Sequence, residues 1–399
     1  MICWIFNQYI NTPDTPGGSR HYELAKILVR RGHQIILFGA KSNKNKGLFY
    51  REERAGVTII WFNIKSYYGK SFKRALNMMI YSLSILIFYL IGKRRALKLE
   101  IPEVIVGSSV HPFGAYAAYI LACLYRISFI FEVRDIWPQT LIDMGALSPR
   151  NPFTKAMQFL EKQLYKNSVL IITTLPFAYE YICGRYKVDQ EKIKWLPNGV
   201  NTDMFPPQDW PREGNFIISY IGTHGIANAL DILLDAAEIL QLEGIRDIEF
   251  RFIGEGPLKS SLIEKVKVRN IKNIAFFDQE PKSDIYSIAQ YTSAFIIPIK
   301  DLPLYRYGIS PNKIYDYMAM ERPTIISCST RNNPIVEAGA GISVTADDPK
   351  KIVQAIYKLR YMSKDELVLM GKNGRRFVEE YNDYRVLGIK LEEWLKEIY

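Results

Sequence analysis

The sequence predicts an α/β protein made of two doubly wound, parallel-sheet domains. Three observations predict it. At 399 residues the chain is about twice the size of a common domain. Short apolar runs alternate with amphipathic stretches along its whole length, the pattern of βαβ units with helices on both sheet faces. Near the middle, Pro197-Asn198-Gly199 and the proline-rich segment from Pro206 to Pro211 interrupt that alternation. With 48% apolar and 23% charged residues, the chain can fill two cores and lacks the polar bias of a disordered one.

In the first half, the segments 2–6, 34–38, 57–62, 104–107, 129–132 and 169–173 read as strands. The second half restarts at 216–221 and continues with 248–253, 274–277, 294–298 and 324–327. The proline-punctuated linker puts the hinge between them, and ligands of such folds bind at the carboxyl ends of the strands, here in an interdomain cleft. Residues 1–200 hold 27 Lys and Arg against 13 Asp and Glu, whereas the remainder holds 25 against 28. The first half is therefore the one expected to face something anionic. Cys3, Cys123, Cys183 and Cys328 are too far apart in the chain for a close zinc-ligand pair or a dense disulfide framework, which fits a reducing cytoplasm. The opening Met1-Ile2-Cys3-Trp4 has no basic leader and reads as a first strand, so no export signal is expected.

One segment is unusual. Ala75 to Gly92 is mostly apolar and flanked by Lys73-Arg74 and Lys93-Arg94-Arg95. It reads either as a buried helix of the first domain or as a helix that packs on the sheet and also dips into a membrane surface. A true span would remove one strand-helix unit from the sheet.

The motifs cluster at strand ends. Pro16-Gly17-Gly18 lies between the first strand and a helix, where backbone amides can approach a phosphate or sugar, although a plain turn uses the same glycines. Gly32 and His33 read as a helix stop. His111 follows a strand, so it can donate to a sugar hydroxyl or phosphate, or cap the helix that Pro112 opens. Glu132, Arg134, Asp135 and Trp137 follow the fifth strand. This cluster is expected outside the core, with an arginine for anions, an aspartate for hydroxyls and an indole for a pyranose face. Gly222 and His224 repeat the glycine turn in the second half. The segment from Arg306 to Pro323 is the most specific. Ser310-Pro311 is expected to start a helix with Ser310 as its cap, offering free amides beside Arg306 and Lys313 to a diphosphate, while Asp316 accepts ribose hydroxyls.

In this order the motifs resemble the retaining nucleotide-sugar glycosyltransferases of family 4, and within them the bacterial O-antigen and capsule enzymes typified by N-acetyl-L-fucosamine transferases. The motifs that carry this span nearly the whole chain: Gly17-Gly18 with His21, Arg31-Gly32-His33, Gly107 to Pro112, Glu132 to Pro138, Pro197 to Val200, His224 to Asp231 and Ser310 to Tyr317. The resemblance implies a GT-B fold: residues 1–202 as an acceptor domain, rejoined by a C-terminal helix at 384–399, and 203–383 as the nucleotide-sugar domain. It further implies a retaining, metal-independent transfer, with no cofactor, from a UDP-sugar, an N-acetylated deoxyhexose in this subgroup, to a polyprenyl-diphosphate-linked glycan. The protein would lie peripherally on the inner face of the plasma membrane, with an anionic membrane surface and no nucleic acid as partner.

The residues implied are His111 for catalysis and Gly17, Gly18, Gly222, His224, Arg306, Gly308, Ser310, Asn312, Lys313 and Asp316 for the donor. Arg134, Asp135 and Trp137 are implied for the acceptor. The sequence also departs from the family. Of its usual two glutamates eight positions apart, Gly308 replaces the first and Asp316 the second, and the basic pair usual after the Gly222 turn is missing, leaving Arg306 and Lys313 as substitutes. A sugar-nucleotide 2-epimerase on the same fold and a non-catalytic membrane-surface binding partner are the alternative readings.

Overall fold

The computed structural model describes residues 1–65, 71–211 and 214–398, with every side chain in them except those of residues 71, 72 and 74. The side chain of Arg74, one of the bases flanking the apolar run, therefore lies outside the described residues. The chain forms two compact units. Met1–Thr12, Ser19–Pro197 and Tyr384–Tyr399 make the first, and Pro13–Gly18 with Asn198–Asp383 the second. The division thus falls at Pro197 rather than at 202. The loop Pro13–Gly18 groups with the second unit because Ser283 N donates to Pro13 O (2.9 Å) and Lys282 N to Thr15 O (3.3 Å).

The first unit is an eight-stranded sheet of β1 (Ile2–Phe6), β2 (Gln34–Ala40), β3 (Phe49–Arg54), β4 (Val57–Phe62), β5 (Val104–Ser108), β6 (Ser128–Val133), β7 (Leu170–Thr173) and β8 (Ile193–Trp195). Its order is β3-β4-β2-β1-β5-β6-β7-β8, and every pair is parallel except β3 with β4. Residues on alternating sides of β1 serve two layers. Trp4 and Phe6 join Phe38, Phe62 and Phe88 in an aromatic layer, with Phe6 stacked on Phe38 at 4.3 Å. Cys3 and Ile5 face the other way, into a core shared with Leu24, Leu28, Leu387 and Leu391. The helix Ser71–Leu90 puts Met78, Tyr81, Ile85 and Phe88 into the unit's core. None of the described helices is long and apolar enough to cross a membrane.

The helix Tyr384–Lys396 belongs to this first unit, where it packs on the helix Arg20–Arg30. Gly388 permits the close approach, since a Cβ there would lie 2.6 Å from Ile27 Cγ2. Glu392 on the same helix takes hydrogen bonds from His33 Nε2 (2.8 Å) and from Arg31 Nε, and pairs with Lys396 Nζ (3.1 Å). His33, and then Arg31 and Lys396, hold the Glu392 carboxyl down to about 2, against its burial. His33 is therefore part of a clasp as well as a helix stop.

The second unit is a six-stranded, all-parallel sheet of β9 (Phe216–Ile221), β10 (Ile248–Ile253), β11 (Ile274–Phe277), β12 (Ala294–Pro298), β13 (Thr324–Ser327) and β14 (Gly341–Val344), in the order β11-β10-β9-β12-β13-β14. Each sheet reverses its winding once, between β1 and β5 and between β9 and β12. The carboxyl ends of strands beside such a reversal are where doubly wound folds bind ligands. The chain's passages into and out of this unit lie side by side. Val200 bridges to Asp383, and Asp383 Oδ2 accepts from Thr202 N (3.1 Å) and Thr202 Oγ1 (2.5 Å).

Candidate functional site

At the carboxyl ends of β9, β10 and β11, the second unit opens a pocket of about 380 Å³. Gly17, Gly18, Gly222, Asn312, Lys313 and Asp316, spread over 300 positions of sequence, all line it. Two glycines leave the space open. Gly222 after β9 and Gly254 after β10 have φ of +147° and +146°, and a Cβ on Gly254 would fall 2.1 Å from Gly222 O. Only a residue without a side chain takes that conformation and permits that approach.

Lys313 sits on the first turn of the helix Asn312–Ala319 and reaches back under the pocket. Its Nζ donates to Tyr220 OH (2.8 Å) and Asn228 Oδ1 (3.0 Å) and lies 4.2 Å from the Tyr220 ring centroid. Burial pushes this ammonium down to about 7, with Asp316 opposing the shift. A cation desolvated in this way gains most from an anion brought beside it. Asp316, one turn on, is buried and forms an ion pair with Lys282. Burial raises its carboxyl, and Lys282 and Lys313 oppose that. Lys282 escapes sequence reasoning because its partner is 34 positions away. Its place after the carboxyl end of β11, with Gln279 and Glu280 of the same pocket, was the available signal.

Four residues expected with these lie elsewhere. Ser310 is not the helix cap. The extended Pro311 (ψ 136°) holds the cap position without a side-chain bond, and the Ser310 hydroxyl is drawn away to accept from Asn198 N (2.8 Å) and to pair with Tyr315 OH (3.2 Å). Arg306 lies in a 3₁₀ turn, Pro303–Tyr307, with its guanidinium over the Tyr307 ring (4.7 Å) and donating to Tyr307 OH (2.7 Å). It lines a separate recess with Asp301, Thr330 and Arg331. Gly308 ends that turn at φ +98°, its amide already given to Tyr305 O (3.0 Å). The ring of His224 is fully buried near Tyr220, Phe252 and Phe276, and neither nitrogen has a hydrogen-bond partner. Burial, and then Lys259, pushes it down to about 4, so it is neutral at pH 7.

In the first unit, the corresponding strand ends carry a different arrangement. His111 caps the helix Pro112–Tyr125, its Nδ1 accepting from Gly114 N (3.1 Å). That fixes the proton on Nε2, which donates to Gln8 Oε1 (2.7 Å). The imidazole expected to serve a ligand is thus 2% exposed and engaged at both nitrogens. Glu132, expected outside the core, is buried. It accepts from Arg20 Nε (2.9 Å) and His21 Nε2 (2.6 Å), and His21 Nδ1 accepts from Asn7 Nδ2 (3.0 Å). Burial alone would raise Glu132, but His21 and Arg20 hold it well below the usual carboxylate range. Arg134 and Asp135 follow in a loop braced by Ser109, whose Oγ accepts from Arg134 N (3.0 Å), and by Thr174, which donates to Arg134 O (3.1 Å). The buried indole N–H of Trp137 has no hydrogen-bond partner. Among the described residues, no group of three or more His, Cys, Asp or Glu is arranged to hold a metal ion.

Residues 17–204 match the family model described as Glycosyltransferase Family 4, and residues 215–360 the one described as Glycosyl transferases group 1. A human relative, one of the subunits of phosphatidylinositol N-acetylglucosaminyltransferase, is 22% identical over 273 residues, 67% of this chain and 50% of that protein. The chain spans about half the length of the curated relatives it matches. Its structure is similar to sucrose-phosphate synthase from Thermosynechococcus elongatus, with a TM-score of 0.78 at 14% identity over 99% of this chain and 98% of that one. It is also similar to Anabaena HepE in complex with UDP-glucose, with a TM-score of 0.69 at 12% identity over 100% of both. With a family 4 domain followed by a group 1 domain on two parallel-sheet units, the chain has the GT-B fold and belongs with the glycosyltransferases of the family 4 type.

Proposed function

We propose that this protein moves a sugar, an N-acetylated deoxyhexose, from UDP to a polyprenyl-diphosphate-linked glycan during bacterial surface-polysaccharide (O-antigen or capsule) synthesis. The observation that carries the reading is the second unit's pocket. There an open glycine pair, a desolvated lysine and a buried aspartate surround one space. The diphosphate lies along the Gly222 turn against Lys313, and Asp316 accepts the ribose hydroxyls while keeping Lys282. The HepE neighbour in complex with UDP-glucose and the human relative named for transfer to phosphatidylinositol support a UDP-sugar donor and a lipid-borne acceptor.

The transfer is retaining and needs no metal. The acceptor oxygen bonds to the anomeric carbon as the bond to the diphosphate breaks, and the acceptor's proton passes to the leaving phosphate oxygen. The barrier falls through electrostatic stabilisation of the departing diphosphate by Lys313 and backbone amides. Arg134, Asp135 and Trp137 receive the acceptor. His111 assists once the Gln8 side chain gives way and the substrate takes its place on the Nε2–H, so His111→Ala lowers kcat more than it changes donor affinity.

Purified protein is incubated with a panel of UDP-sugars and membrane-lipid acceptor, and products are read by mass spectrometry. One sugar added per lipid-linked acceptor is expected. UDP-sugar binding without transfer to any lipid-linked acceptor would overturn the reading.

A further inference from the structure

The donor pocket leaves one surface of the first unit unexplained. Along the helix Ser71–Leu90, Leu76, Met79, Ile80, Leu83, Ile87 and Leu90 are all exposed, from 39% at Ile80 to 76% at Leu90. At 100° per residue these six occupy one arc of about 100°, and the buried Met78, Tyr81, Ile85 and Phe88 occupy the opposite side. The helix therefore has two apolar faces, one in the core and one in the open. The exposed stripe is about 20 Å long at 1.5 Å per residue, and Ile91 extends it. Isolated exposed apolar residues need no explanation, but a continuous stripe of this kind marks an interaction site.

Charge identifies what covers it. Residues 54–99 contain nine Lys and Arg and no Asp or Glu. Lys73 lies exposed at one end of the stripe, and Arg95 and Lys98 lie exposed just beyond the other. An apolar stripe bounded at both ends by cations, with no acid among them, matches the acyl and headgroup layers of an anionic bilayer. The helix is not of the kind that crosses a membrane, so it would lie in the plane of the surface.

We infer that the open face of this helix is a docking surface for an anionic lipid bilayer, seating the stripe among acyl chains and its basic ends among headgroups. The inference rests on the lipid-linked acceptor only for its biological sense, because docking is measured without transfer. The full chain is sedimented with vesicles of phosphatidylcholine containing about 30% phosphatidylglycerol, and with phosphatidylcholine alone.

Binding to the anionic vesicles, weakened by high salt, is expected. The double variant Leu83→Glu, Ile87→Glu should bind about tenfold or more weakly while its thermal melt and UDP affinity stay unchanged, because both positions are exposed. Lys73→Gln with Arg95→Gln and Lys98→Gln should lower anionic-vesicle binding by a similar factor. Binding indifferent to both sets of substitutions overturns the inference. So does a concentration-dependent dimer that the apolar variant abolishes while vesicles bind neither form, which would make a second copy the occupant. Loss of transfer with docking intact would count against the proposed function instead.

Discussion

The carboxyl edges of the two sheets share one winding scheme and end in opposite states. In the first unit, the strand ends are closed by side chains that satisfy one another: Glu132 with Arg20 and His21, and His111 with Gln8 and the Gly114 amide. The void beside His21 and Glu132 is only about 20 Å³. In the second unit, glycines stand at the strand ends and border an open pocket of about 380 Å³. Its Lys313 is desolvated and hydrogen-bonds only neutral oxygens, while its second lysine, Lys282, is paired with Asp316. A closed polar network spends its hydrogen bonds on structure, and an open one leaves them for a ligand. The comparison predicts that removing Glu132 from the first unit's closed network chiefly costs stability, and that removing Lys313 or Asp316 from the second unit's pocket costs ligand affinity.

The largest expected effect is on the closed edge. Glu132→Ala leaves Arg20 a buried charge without its carboxylate and should destabilise the first unit by ~3–5 kcal/mol. Five of the six tryptophans, all but Trp210, belong to that unit, so tryptophan fluorescence in urea reports it. A midpoint equal to that of the unmodified protein would break the comparison. On the open edge, Asp316→Ala should weaken UDP binding by ~1–3 kcal/mol by calorimetry. Arg306→Gln, whose guanidinium lines another recess, should change it by less than about 0.5 kcal/mol. An Arg306 effect as large as that of Asp316 would return the arginine to the donor site.

The contrast also shows what could be read from the chain alone. Alternating apolar runs announced the interior strands because a parallel strand buried on both faces must be apolar throughout. β3 escaped because its Arg51, Glu52 and Glu53 belong to an edge hairpin, and β8 and β14 because three or four residues carry no period. Gly222, Lys313 and Asp316 were legible because strand-end glycines and a helix entry are local features. Lys282 was not, since its pairing with Asp316 exists only in the fold. Arg306 misled for the converse reason: only seven positions from Lys313, it is turned aside by the 3₁₀ turn that Gly308 ends.

A further predicted effect lies outside both edges. The carboxyl of Glu392 is depressed in the folded protein. Its contribution to stability is therefore fully present above the ordinary carboxylate pKa of about 4.3. It is lost as pH falls through about 2. Glu392→Gln should flatten that part of the acid-unfolding curve and leave UDP affinity alone. A curve with unchanged slope would remove the clasp from the stability account.

The central claim is that Lys313, desolvated in an open pocket, is the cation that meets the diphosphate. Calorimetric titration of UDP at pH 7.0 and pH 8.5 tests it most directly. Because the free lysine titrates near 7 and must be charged to hold the ligand, affinity should fall about tenfold across that interval, with proton uptake on binding. Lys313→Gln should bind weakly and equally at both values. UDP affinity that is independent of pH in the unmodified protein, or undiminished in Lys313→Gln, would contradict the account.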